Sequence, residues 1–275
     1  MEAIIAYFST IPSLHRGLIL AGGIAFFWLL ESAAPLVNFD YRKWHHAGIN
    51  IFFTVTTIIV NFAMAFMLLM VAEWAADNEF GILQWLPEMS TLVFAIVGLL
   101  LLDFFGAYLA HWAQHKTKWM WRFHLIHHTD TWIDTTSANR HHPGESVIRF
   151  TFTTVGVLAI GAPMWLVFLY QSLSVVFSQL NHANISLPAK LDHVMSYILV
   201  SPDMHKIHHH YLLPYTDSNY GNIFSIWDRL FCTFSVLPRE KIIYGVDTHM
   251  DPEQHNNLKS LLSIPFVKAK KSEIK

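Results

Sequence analysis

STLVFAIVGLLLLDFFGAYLAHWAQHKTKWMWRFHLIHH, Ser90–His128, is the stretch on which the fold turns. From Ser90 to Ala110 it carries one charge, Asp103. At about 1.5 Å per residue, that is enough helix to cross a hydrocarbon core about 30 Å thick. His111 and His115 continue the same helix, and Trp119, Trp121 and Arg122, residues suited to the headgroup level, lead into His124, His127 and His128. Side chains at i, i+3 and i+4 share a helix face, with Cβ atoms about 5–6 Å apart, and neutral imidazole is a ligand for iron, zinc, copper and nickel. A span that ends in histidines at this spacing implies metal held at the edge of a bilayer.

Outward from this stretch, Gly17–Leu36 carries only Glu31, and neither Ala47–Ala72 nor Phe150–Asn181 carries any charge. Hydrophobic residues make up 53% of the 275-residue chain, charged residues 14%, and mean hydropathy is +0.34. These runs read as membrane spans rather than as buried helices of a soluble core. Gly161, Ala162 and Pro163 break the longest run into a hairpin. Its arms of about 15 residues, roughly 23 Å each, make it tight or partly re-entrant and return both ends to one face. No Pro/Gly/Ser linker or internal repeat divides the chain.

The expected fold is all-α, an integral membrane helical bundle with a cytoplasmic histidine-rich metal-binding cap. It is one domain over residues 1–275, with spans near 17–36, 47–72 and 90–110 and the hairpin near 147–181. The cap draws on residues near 111–145 and 182–235, and the tail over 256–275 is expected to be disordered.

Charge sets the orientation. Arg42 and Lys43 follow the first span, and Lys116, Lys118, Arg122 and Arg140 follow the third, whereas Glu73–Glu88 is acidic and lacks Lys and Arg. Basic loops favour the cytoplasm, so the clustered histidines belong on the cytoplasmic face of a bacterial inner membrane or, in a eukaryote, of the endoplasmic reticulum. The opening MEAIIAYFST lacks a basic n-region, so the first span is expected to insert without a cleaved signal. A single cysteine, Cys232, excludes an internal disulfide or a cysteine-ligated cluster, and a net charge of −2 gives no reason to expect nucleic acid.

Ten of the 18 histidines form the candidate ligand set: His111, His115, His124, His127, His128, His142, His182, His205, His208 and His209. In SPDMHKIHH, Ser201 can cap a helix, Pro202 suits its first position and Asp203 its positive end, which puts His205, His208 and His209 in the first turns. The remaining histidines, including His45 and His46 beside Trp44, read as structural or solvated. Asp103 inside a span is either the acceptor for the outer nitrogen of a ligating histidine or a helix–helix hydrogen bonder.

The set resembles the fatty acid hydroxylase and sterol desaturase superfamily of integral-membrane, non-haem diiron enzymes. Similar elements are D-x7-HxxxH at Asp103 to His115, HxxHH at His124 to His128, R-x-HP at Arg140 to Pro143, NHANI around His182, HxxHH at His205 to His209, and NYG with WDRLF between Asn219 and Phe231. Trp112 and Asn139 depart from the pattern of many relatives. The R-x-HP histidine maps to His142, leaving His141 unassigned, with a swap of the two left open. HPGE at His142 to Glu145 is similar to the HPGG of cytochrome b5 but lacks its second glycine, and no haem is expected.

The resemblance implies two Fe ions in an all-histidine shell, with Zn as a contaminant of purified samples; Asp103, Asp217 and Asp228 are candidate carboxylate orienters and equally candidate helix caps or loop hydrogen bonders. It implies an O2-dependent oxygenase acting on a lipid C–H bond, sterol, fatty acyl or related, with hydroxylation first and desaturation or ether-lipid oxygenation as alternatives. With no GxGxxG and no cysteine set, electrons are expected from a separate ferredoxin-like or cytochrome b5-like donor. A metal transporter or metal-buffering protein is the reading from another class. Histidines converging at one interface, rather than lining a pathway, weigh against it.

Overall fold

The structure, a computed structural model, describes residues 1–268; among them there is no β-strand, only two isolated bridges between loops. A short α1 (Glu2–Ser9) packs on the later hairpin and precedes α2 (Ser13–Ala33) and α3 (Lys43–Asp77). After a one-turn α4 (Ile82–Trp85), α5 (Thr91–Asp103) runs through a π-helical segment, Phe104–Leu109, into α6 (Ala110–Lys116). Among the described residues, three rods are long and apolar enough to cross a membrane: Ser13–Ala33, Lys43–Trp85 and Thr91–Lys116. The chain is an integral membrane protein. Phe62 and Phe66 on α3 are 84% and 72% exposed, as lipid-facing side chains are and as water would not tolerate in such number.

The 35 residues of α3 make a rod about 52 Å long, well beyond a 30 Å hydrocarbon core, so its first turns rise into the cap. There His46 and Asn50 are buried. The cap itself comes from α7 (Lys118–His128), a 3-10 turn at Thr135–Asn139, and short helices α10 (Ala189–Met195), α11 (Pro202–His208) and α12 (Ile226–Leu230).

Between these pieces lies the hairpin of α8 (Pro143–Ile160) and α9 (Met164–His182). It breaks at Gly161, which takes φ +69°, and Pro163 caps the second arm. A Cβ on Gly161 would sit 2.3 Å from the Phe80 carbonyl, so the closed end of the hairpin is locked against the α3–α4 connection, far from the histidines. The arms, 18 and 19 residues, are longer than the sequence expectation because the helices persist to His142 and His182 at the cap. Leu102, Phe150, Val157, Ile160, Leu166 and Val167 form the core where α5, α8 and α9 meet.

A second core joins Ile49 and Phe53 of α3 to Leu125 and Ile126 of α7 and to the C-terminal segment. Contrary to the expected disordered tail, residues there form helix Leu258–Ser263 and a 3-10 turn at Ile264–Phe266, with Leu261 fully buried. An apolar i, i+3 face with a waiting partner orders the segment. The last part of that tail, residues 269–275, lies outside the described residues.

The loop 129–142 is held by a buried polar network. His46 Nε2 meets Asp130 at 2.9 Å, Asn50 donates to Thr136 Oγ1 at 2.9 Å, and Arg140 donates to Asn50 Oδ1 at 3.1 Å and to the Ile126 carbonyl at 3.2 Å. Glu31, the one acid of α2, accepts from the backbone N–H groups of Thr135 and Asn184 at 3.0 and 2.9 Å. A charge within a span thus pins two cap loops to the bundle.

Candidate metal centre

Each histidine cluster arrives on its own element. The π-helical segment delivers His111 and His115 on α6; α7 carries His124, His127 and His128; α9 ends on His182. Ser201 Oγ accepts from the Met204 N–H and Pro202 occupies the first turn, so α11 starts where its sequence expects and presents His205 and His208, with His209 at its C-cap.

These rings sort into two groups whose ligand nitrogens lie within 4.8 Å of one another: His111, His115, His124, His128 and His208 in one, and His127, His182, His205 and His209 in the other. The helical period does the sorting. On α7, His124 and His128 share a face and His127 points to its neighbour; on α11 and its cap, His208 joins one group while His205 and His209 join the other. His111 Nε2 lies 3.0 Å from His124 Nε2, and His182 Nε2 lies 3.1, 3.1 and 3.2 Å from the Nε2 atoms of His127, His205 and His209.

The outer nitrogens decide what the inner ones are. His111 Nδ1 donates to the Tyr220 carbonyl at 2.8 Å, His208 Nδ1 to the Ser218 carbonyl at 2.6 Å, and His182 Nδ1 to the Ser178 carbonyl at 2.7 Å. A carbonyl only accepts, so each Nδ1 carries the hydrogen and each Nε2 presents a lone pair inward. His124 Nδ1 meets Glu145 at 2.7 Å and His115 Nδ1 meets Asp217 at 3.3 Å, the carboxylate–histidine arrangement that orients metal ligands. His115 Nε2 and His208 Nε2 are buried without a hydrogen-bond partner. Lone pairs converging in a dry pocket repel one another and leave each nitrogen unsatisfied, at about 1–3 kcal/mol per atom, unless a cation joins them. The donor set therefore fits two metal ions, one per group.

Electrostatics agree. Burial, with the neighbouring imidazoles adding to it, holds His124, His127, His128, His205, His208 and His209 well below the usual imidazole range, so all six are neutral at pH 7, as ligands require. Burial raises Asp217, but hydrogen bonds from His115 and from Lys116, 2.6 Å away, outweigh it and hold this carboxyl well below its usual range.

Of the ten candidates, nine are brought together and His142 is not. It is the N-cap of α8, where its Nδ1 accepts from the Gly144 N–H at 2.9 Å and its ring packs on Phe123 and Phe266. A residue before proline is held extended, and here that turns the side chain back onto its own helix start. His141 takes the inward position instead: its ring lies 5.0 Å from that of His127 and lines a chamber of about 30 Å³ between the two groups.

Asp103 touches no histidine; it accepts from the Ile223 and Phe224 N–H groups at 3.2 and 3.1 Å and so ties the cap to α5. Asp228 accepts from the Tyr220 and Gly221 N–H groups, both at 2.8 Å, and thereby fixes the loop whose Tyr220 carbonyl orients His111. Sequence reasoning gave no role to Glu145 or Asp130; it read His46 as structural or solvated and noted Arg140 in the R-x-HP element without its place in the buried network. An acid three residues after a histidine that opens a helix was the signal for Glu145.

The chain is 26% identical over 189 residues to an ornithine lipid hydroxylase of Rhizobium tropici, covering 68% of this chain and 55% of that protein. It is 30% identical over 149 residues to the alkylglycerol monooxygenase of Homo sapiens, covering 53% and 31%, and 27% identical over 148 residues to a cholesterol 25-hydroxylase-like protein of Danio rerio, covering 54% and 58%. It thus spans less than two thirds of the length of each of these relatives. No solved structure is significantly similar to it. Residues 95–233, which contain every one of the ten candidate histidines, match the fatty acid hydroxylase family model, and the chain belongs to that family.

Proposed function

We propose that this protein is a membrane-bound oxygenase that holds two metal ions, iron in the working enzyme, and inserts oxygen into a C–H bond of a lipid. His111, His115, His124, His128 and His208 would hold one ion, and His127, His182, His205 and His209 the other, with His141 beside the second group. The observation that carries the reading is the convergence of Nε2 lone pairs fixed by outward-donating Nδ1 atoms. When bound, the iron pair supplies the electrons and oxidising power that cleave dioxygen and remove hydrogen from an unactivated carbon.

The chain's own residues do the rest. Glu145 and Asp217 orient ligand rings, the neutral imidazoles leave the pocket free of competing protons, and burial excludes water from the reacting centre. The lipid tail enters sideways between helices. The relatives, an ornithine lipid hydroxylase, an alkylglycerol monooxygenase and a cholesterol 25-hydroxylase-like protein, support lipid hydroxylation as the reaction type while differing in head group. The basic residues around α6 and α7 favour a cytoplasmic cap, where a ferredoxin-like or cytochrome b5-like donor would deliver electrons.

The test is lipid mass spectrometry of cells expressing the chain with iron and a reductase system, against a His127→Ala, His208→Ala variant. A lipid species heavier by one oxygen atom, present with the wild type and absent with the variant, is expected. Identical lipid profiles together with metal transport in proteoliposomes would replace the oxygenase reading by the transporter one.

A further inference from the structure

Arg149 sits one turn after Glu145 on α8 and lines the chamber between the two histidine groups, together with Ser178 and Asn222. It is half-buried, and its hydrogen-bonding is meagre. Its Nη1 reaches Gln114 Oε1 at 3.5 Å, and among the described residues no carboxylate lies within 4.0 Å of its guanidinium. Glu145, placed at the spacing that normally pairs with it, gives its Oε1 to His124 instead. A guanidinium offers five donors in a planar fork suited to bidentate oxyanions, and most of that capacity is unspent here. The chamber that gathers lone pairs for cations also carries a fixed cation, an unfavourable combination until an anion enters. A charged side chain lining this chamber whose hydrogen bonding is one long contact to a neutral amide marks a ligand site.

We propose that Arg149 determines specificity: its guanidinium holds an oxyanion, the carboxylate or phosphate of an anionic lipid, beside the two histidine groups. What happens to that lipid afterwards rests on the oxygenase reading; its recognition does not. Asn222 leaves the role to Arg149, since its amide is committed to Ser174 at 2.8 Å. In the fold as it stands, the oxyanion would supply the hydrogen-bonded ion pair that Glu145, bonded to His124, does not make with Arg149.

The experiment is equilibrium binding of laurate, dodecyl phosphate and dodecanol to the full metal-loaded chain in nanodiscs of neutral phosphatidylcholine. The wild type is expected to bind at least one of the two oxyanions about tenfold more tightly than the alcohol, the scale of one hydrogen-bonded charge. Preference for laurate alone or for dodecyl phosphate alone identifies which head supplies the oxyanion. Arg149→Gln is expected to abolish the preference while leaving dodecanol binding and bound metal per chain unchanged. Arg149→Lys, which keeps the charge but loses the fork, is expected to reduce the preference several-fold without erasing it.

Equal binding of acid, phosphate and alcohol by the wild type would overturn the proposal, as would a preference that survives Arg149→Gln or is untouched by Arg149→Lys. Binding is read without oxygen or reductant. A wild type that shows the preference there, yet oxidises neither amphiphile once oxygen, iron and a reductase system are supplied, would count against the oxygenase reading and leave this one standing.

Discussion

At the scale of single residues, the contrast between His142 and His208 separates two jobs done by the same side chain. His208 donates outward to a carbonyl and turns a bare nitrogen inward, whereas His142 spends its Nδ1 on a helix cap. His142→Ala is therefore expected to keep full metal content and to cost about 0.5–2 kcal/mol, the worth of a cap. His208→Ala is expected to lose metal from its own group. Metal analysis of the two purified variants checks both, and metal lost from His142→Ala would mean the cap assignment is wrong. The convergence of the histidines was legible in the sequence because HxxHH and HxxxH carry their geometry with them. The choice between His141 and His142 was not, since it depends on which ring the helix start claims. Carbonyl partners such as Tyr220 and Ser218 are invisible to any sequence pattern, because every residue has one.

Among the elements, the π-helical segment between α5 and α6 has the sharpest consequence. Such segments hold an extra residue within a turn and recur at functional sites. Inserting a further residue, an alanine after Ala107, exceeds what one such turn absorbs and is expected to rotate everything beyond it by about 100°. His111 and His115 would then leave the pocket, so bound metal should fall while far-UV circular dichroism stays helical. A variant with unchanged metal would show that the segment does not set the register. The spans were legible from charge-free runs, and the hairpin break from Gly161 and Pro163. The π segment was not, because FFGAYL fits an ordinary helix equally well. The ordered C-terminal helix was missed for a related reason: Leu261 is apolar, but only the distant surface of α3 and α7 makes its burial worthwhile.

On the scale of the whole molecule, cap and bundle are joined through a buried charge network rather than through apolar packing alone. Asp130 is fully buried, which would raise its carboxyl, but His46 and Arg140, with a hydrogen bond from Ser137, more than reverse that and hold it well below the usual carboxylate range. A carboxyl held lower in the folded state than its ordinary 3.8 stabilises the fold above that pH, and the contribution fades as pH falls below it. The melting temperature in detergent is expected to drop steeply below about pH 4. Asp130→Asn should cost about 3 kcal/mol at pH 7, since His46 and Arg140 lose the nearer of their two counter-charges and keep only Asp134, and should flatten that acid limb. An unchanged limb would assign acid sensitivity elsewhere.

The proposed chemistry needs two ions seated in two separate histidine groups. Anomalous diffraction from crystals of the full chain, collected above the iron and zinc edges, locates them without reference to activity. Two peaks are expected, one bordered by His111, His115, His124, His128 and His208 and the other by His127, His182, His205 and His209. A single peak, or none among these rings in protein that carries metal, would contradict it.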